Sequence, residues 1–137
     1  MTWVLGNLDL IGALLLQHLY FALPPIIIGL VLAIPLGWLA NRNIALRSIL
    51  VNISGLLYTI PSLALFVLLP PLLGTGILDP VIVIVALTVY TVALLVRTVT
   101  DGLGAVPPIV VNSATAMGYT PFRRFLGVEL PLAVPVI

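Results

Sequence analysis

The chain has 137 residues, 62% of them hydrophobic and 7% charged, with a mean hydropathy of +1.34, far from the roughly 25% charged residues of a soluble domain. Its formal net charge of +1 is too small to suggest a nucleic-acid partner, and the absence of cysteine rules out disulfides and thiolate metal sites. The composition is that of an integral membrane protein, and the class it predicts is all-α: a polytopic transmembrane helical bundle.

Residues 1 to 16 place Gly6, Asn7 and Asp9 among apolar positions and read as a short interfacial helix or a lead-in to the first span. No Lys or Arg precedes the first apolar run, so the basic n-region of a secretory signal is missing and the segment is expected to stay as a helix. The first span is predicted over about 18 to 40. The chain carries no Asp, Glu, Lys or Arg between Asp9 and Arg42, a gap longer than the ~20 residues that cross a bilayer. Pro24, Pro25 and Pro35 predict a kinked helix, tolerated where neighbours satisfy the freed carbonyls. Gly29, Ala33 and Gly37 fall on one stripe, the small-residue pattern that lets another helix backbone come close. His18 and Gln17 mark the outer end of this span, and Trp3 and Trp38 read as interfacial anchors.

The linker 41 to 47 carries Arg42 and Arg47 and is expected to face the cytoplasm. A second span follows over about 48 to 70, with Pro61 breaking the helix ladder near its middle. Unwound backbone at membrane depth is tolerated where it lines a cavity. Residues 70 to 80 are rich in turn formers, with Asp79 as their one charge, and belong outside. The third span is predicted over 80 to 97. A central Arg or Asp costs ~2.5 to 3.5 kcal/mol, so charges are expected at the ends of spans. All five arginines (Arg42, Arg47, Arg97, Arg123 and Arg124) then fall on the inner side, with the amino terminus outside. Residues 98 to 130 become a cytoplasmic loop, and 130 to 137 open a fourth span.

That loop has local order of its own. Pro107 and Pro108 suit a helix start, and 109 to 117 can form a helix with Val110, Ala114 and Met117 on one face. Gly118 suits the left-handed position that ends it. Thr120 can cap a second helix with Pro121 in its first turn, and Phe122, Phe125 and Leu126 would share a face. Helix, turn, helix makes a projecting surface for another protein, or an interfacial pair whose Arg123 and Arg124 meet anionic head groups.

The run NSATAMGYTPFRRFLGVELP, residues 112 to 131, resembles the Glu-Ala-Ala signature loop of permease subunits in bacterial ABC importers. Gly118, Leu130 and Pro131 match at the family spacing, Ala114 takes the second Ala position, and Val128 stands for Ile. Asn112 and Ser113 replace the usual Glu and first Ala. Over residues 18 to 137, LLYTIPSLALF, ALTVYTVALLVRTVTDGL, MGYTP and VELPLAVPVI are similar to the osmoprotectant branch, which imports glycine betaine, choline or carnitine. Amino-acid and methionine permeases share much of that pattern and stand as alternatives. A small membrane anchor or assembly protein without transport is the other.

The resemblance implies a type I importer permease in which Asn112 to Pro131 form coupling helices seated in a cytoplasmic ATPase. It also implies an extracytoplasmic substrate-binding protein and a second permease subunit, identical or sister. Members of that family continue through further spans, so the chain is expected to be a fragment or a truncated frame. No catalytic constellation and no metal-spaced partner for His18 occurs in the sequence, and ATP is expected on the partner ATPase, with no cofactor in this chain. Tyr58, Thr59, Pro61 and Ser62 are candidates to line the translocation pathway, since a proline break with hydroxyls offers polar contacts at membrane depth. Tyr90 and Thr91 on the third span join them.

Overall fold

The computed structural model describes residues 2–76 and 79–137. Met1, in the amino-terminal lead-in, and Ile77 and Leu78, in the turn-rich stretch expected over 70 to 80, lie outside the described residues. Among the described residues the secondary structure is helical, without strands. A short α1 (Thr2–Gly6) precedes α2 (Leu8–Ala40), followed by α3 (Ile44–Thr59), α4 (Ser62–Leu73) and α5 (Pro80–Gly104). The carboxy-terminal part is α6 (Pro108–Ala116), α7 (Pro121–Arg124), a π turn over Phe125–Glu129, and α8 (Leu130–Ala133).

Two helices, α2 and α5, are each long and apolar enough to cross a membrane, and α3 with α4 reach that length only as a pair bent by 100°. The chain is therefore a polytopic all-α membrane protein, with several helix bounds differing from expectation. The first long helix, α2, begins at Leu8, so the lead-in and the segment expected to span from about 18 are one helix, and it runs unbroken through Pro24, Pro25 and Pro35. From His18 to Ala40 the rise is about 33 Å, about one hydrocarbon thickness, so the stretch before His18 extends the same helix beyond that length. Helix α5, where the third span is expected over 80 to 97, runs past Arg97 to Gly104. Charge marks where lipid is costly, whereas a helix ends only where its backbone bonds do.

The expected second span, 48 to 70, is not one rod. It starts earlier, at Ile44, where the Asn43 side chain accepts from the Ala45 N–H at 2.8 Å, a helix cap. It stops at Thr59 because Pro61 has no N–H and drives the residue before it away from helical angles. Ile60 accordingly sits at φ −65°, ψ 125°. The helix resumes at Ser62 in a new direction and carries Pro70 and Pro71 as far as Leu73, so the expected loop starts later than 70. Gly74, at φ +67°, ends it. Asp79 then caps α5 by accepting from the Val81 N–H at 2.9 Å, with Pro80 in the first turn.

Helix directions follow from the contacts. Gly29 lies against Thr91 and Gly37 against Val99, while the Asn41 amide donates to the Thr100 carbonyl at 2.9 Å; α2 and α5 are parallel. Arg47 meets Asp101 and Tyr58 meets Tyr90, so α3 is antiparallel to both. A Cβ on Gly29 or Gly37 would sit 2.5 Å from a side-chain methyl of α5, which is why the stripe is glycine there, and Ala33 between them is fully buried. The main core joins Ala33, Val96, Val99 and Leu103 to Val106, Phe125 and Ala133. A second, smaller one packs Leu69 of α4 over Ile82 and Ala86.

Candidate functional site

The carboxy-terminal segment is built as helix, turn, helix. Pro108 opens α6, and its end is a Schellman turn: Tyr119 N–H donates to the Ala114 carbonyl at 3.2 Å and Gly118 N–H to Thr115 at 3.0 Å, with Gly118 at φ +86°. Thr120 caps α7 by accepting from the Arg123 N–H. Pro121 occupies the first turn. Of the predicted α6 face, Ala114 is buried and Val110 half-buried, but Met117 is exposed, because it lies at the cap where the chain turns away. Asn112 and Ser113 are exposed, and the Ser113 hydroxyl donates to the Ile109 carbonyl at 2.8 Å.

The second face also divides. Phe125 is buried, while Phe122 and Leu126 are exposed. Phe125 packs on Trp38 of α2, a residue that the sequence alone presents as a membrane anchor. Its ring lies 4.9 Å from that of Phe125 and 6.3 Å from that of Phe122, and Arg42 stacks 3.9 Å over its centroid. The indole joins the end of α2 to the turn.

The two arginines part company. Arg124 Nε donates to Glu129 at 2.5 Å and its Nη1 to the Thr115 hydroxyl at 2.6 Å, so it braces α6 against the π turn from inside. Arg123 is exposed and, among the described residues, has no carboxylate within 4.0 Å. Between Phe125 and Glu129 the helix widens, and the Leu130 N–H donates to the Phe125 carbonyl. Pro131 accounts for this: in a regular α-helix its ring would strike the carbonyl of Gly127. Leu130 and Pro131 thus lie within one continuous helical run from Pro121 to Ala133, not at its start. Leu130 packs against the main core.

A second feature runs along the α3–α5 seam. Tyr58 and Tyr90 meet edge to face at 6.1 Å, and the Tyr90 hydroxyl donates to the Ile60 carbonyl exposed by the break. A cleft of about 400 Å³ is lined there by Tyr58, Ile60, Ser62, Leu87 and Tyr90. Thr59 and Thr91 donate back to the carbonyls of Leu56 and Leu87, the ordinary use of a hydroxyl in an apolar helix. Thr91 faces a further cleft with Ile26 and both tyrosines, and it also packs on Gly29. Pro61 supplies the break itself. Tyr58 lines a third cavity with Ser54, Arg97 and Thr98, and Arg97 lines a fourth with Arg47, Ser48, Asn52 and Asp101. Shared walls make these a file from the break to the arginine-rich end.

Its lower half was missed in the sequence. Arg97 read as the end of a span, and Ser48, Asn52 and Asp101 carry no local motif. The retrospective signal is spacing: Ser48, Asn52, Gly55 and Tyr58 recur every three or four residues along α3. Among the described residues no group of three His, Asp or Glu side chains could hold a metal.

Residues 26–137 match the family described as the binding-protein-dependent transport system inner membrane component. The chain is 36% identical over 121 residues to a choline transport system permease protein of Bacillus subtilis, covering 88% of this chain and 54% of the relative. It is 31% identical, with the same coverage, to a carnitine transport permease protein of Listeria monocytogenes. An osmoprotectant import permease protein of Salmonella typhimurium is 32% identical over 140 residues, 98% of this chain and 64% of that one. The chain spans about half the length of the first two relatives. No solved structure matches it.

Proposed function

The chain belongs to the family of binding-protein-dependent transport system inner membrane components, and from that premise we propose that it acts as a permease subunit of an ATP-driven importer of small osmoprotectants. The observation that carries the reading is the joining of two features in one unit. A file of partly polar cavities follows the α3–α5 seam, and a braced helix-turn-helix hangs from the arginine-rich end of the same helices.

In this reading Asn112 to Pro131 dock on a cytoplasmic ATPase, which hydrolyses the ATP, and the arginine-rich end faces inward with the amino terminus outside. Exposed positions of the docking segment include Asn112, Ser113, Met117, Phe122 and Arg123. A binding protein delivers the solute at the outer end, near Ser62, and a second permease subunit closes the open side of the file. Carnitine and choline are the proposed solutes after the relatives' names, with glycine betaine added from the osmoprotectant resemblance of the sequence.

The test is uptake into vesicles holding the complete complex, with the binding protein outside and ATP inside. ATP-dependent accumulation of labelled glycine betaine, carnitine or choline supports the reading. A chain that co-purifies with no ATPase in mild detergent and supports no uptake would be an anchor instead.

A further inference from the structure

Arg97 is the one arginine that sits well inside a long apolar helix. It lies seven residues before the end of α5 at Gly104, a rise of about 10 Å. Charges inside membrane helices are costly and face a partner or a water-filled cavity, and Arg97 faces cavities. It forms part of the wall of two of them, one of about 390 Å³ toward the helix ends and one of about 220 Å³ above.

Its charge is weakly matched. Asp101 lies 4.0 Å from the Arg97 guanidinium but 3.1 Å from that of Arg47, to which it is hydrogen-bonded. Two guanidiniums thus share one carboxylate, leaving one positive charge in excess at the junction. The upper cavity presents Tyr58 as well as Arg97, and Ser54 and Thr98 also line it. An aromatic ring favours a quaternary ammonium, and a guanidinium with donors to spare favours a carboxylate.

We infer that Arg97 and Tyr58 form a transit site for zwitterions, with Arg97 taking the carboxylate, so that the permease itself favours carboxylated solutes over an alcohol such as choline. The inference rests on the permease reading above. Arg97 is a specificity residue, and Asp101 competes with the solute for it.

The test compares glycine betaine and choline uptake by the complete complex, with the same binding protein throughout, so that any change of ratio arises in the permease. Arg97→Gln is expected to lower the glycine betaine to choline ratio at least tenfold while ATPase association is kept, and Arg97→Lys to restore part of it. Asp101→Asn is expected to move the ratio the other way. Equal loss for both solutes, or an unchanged ratio, overturns the assignment, as does a wild type that imports choline alone. A wild type that imports neither solute overturns the osmoprotectant reading and the site together, an outcome told apart by the wild-type control.

Discussion

The rings of Trp38 and Phe125 lie 4.9 Å apart, tilted by 32°, and through them the end of the first long helix holds the start of the π turn. Phe125 is almost fully buried. Any force on the carboxy-terminal segment therefore reaches α2 through packed rings as well as through the chain.

Phe125→Ala removes the buried half of that contact and is expected to cost about 3 kcal/mol. The melting temperature of the purified protein should fall, and, on the proposed permease reading, ATP hydrolysis by the complex should become insensitive to solute. Phe122→Ala, at an exposed ring, should lower stability much less.

Arg124 and Glu129 are both largely enclosed, with side-chain exposures of 24% and 13%. Glu129→Gln leaves the guanidinium without its counter-charge, at a cost of about 1 to 3 kcal/mol for this partly buried pair. Because the two groups act as a pair, the double variant Arg124→Gln, Glu129→Gln should cost less than the sum of the singles. Denaturation of the three variants checks this, and strict additivity would contradict the pairing.

Gly37→Ala places a methyl 2.5 Å from a Val99 methyl, so α2 and α5 must separate, at about 1 to 3 kcal/mol. Gly55 has nothing within 4 Å of an added Cβ, and Gly55→Ala should be neutral or stabilise by up to about 1 kcal/mol. Thermal melting of the two variants side by side separates close helix approach from a general intolerance of glycine replacement.

Tyr90→Phe deletes the donor to the Ile60 carbonyl and leaves that group unpaired beside the bend, at about 1 to 3 kcal/mol. Hydrogen exchange at the start of α4 should quicken. Unchanged exchange would mean that the 100° bend is held by Pro61 and packing alone.

Local signals were legible in the sequence and long-range ones were not. The glycine stripe, the Pro61 break, the Gly118 turn and the Thr120 cap each depend on a few neighbouring residues, and each has its expected backbone or packing. A proline announces a break but not its angle, so the 100° bend was invisible. Trp38 resembled an anchor because its partners, Phe122 and Phe125, are far away in the chain. Arg124 looked like its neighbour Arg123 until Thr115 and Glu129 came within reach. The file of cavities needs two antiparallel helices to exist at all, and Arg97 acquires its place only because α5 continues past it.

The most direct test of the coupling assignment uses the lack of cysteine: single cysteines are introduced at Asn112 and Met117, both exposed, and labelled with a membrane-impermeant maleimide. Labelling is expected in inverted vesicles only, and is expected to be lost when the ATPase subunit is bound. Labelling in right-side-out vesicles, or labelling that the ATPase leaves unchanged, would contradict the coupling assignment.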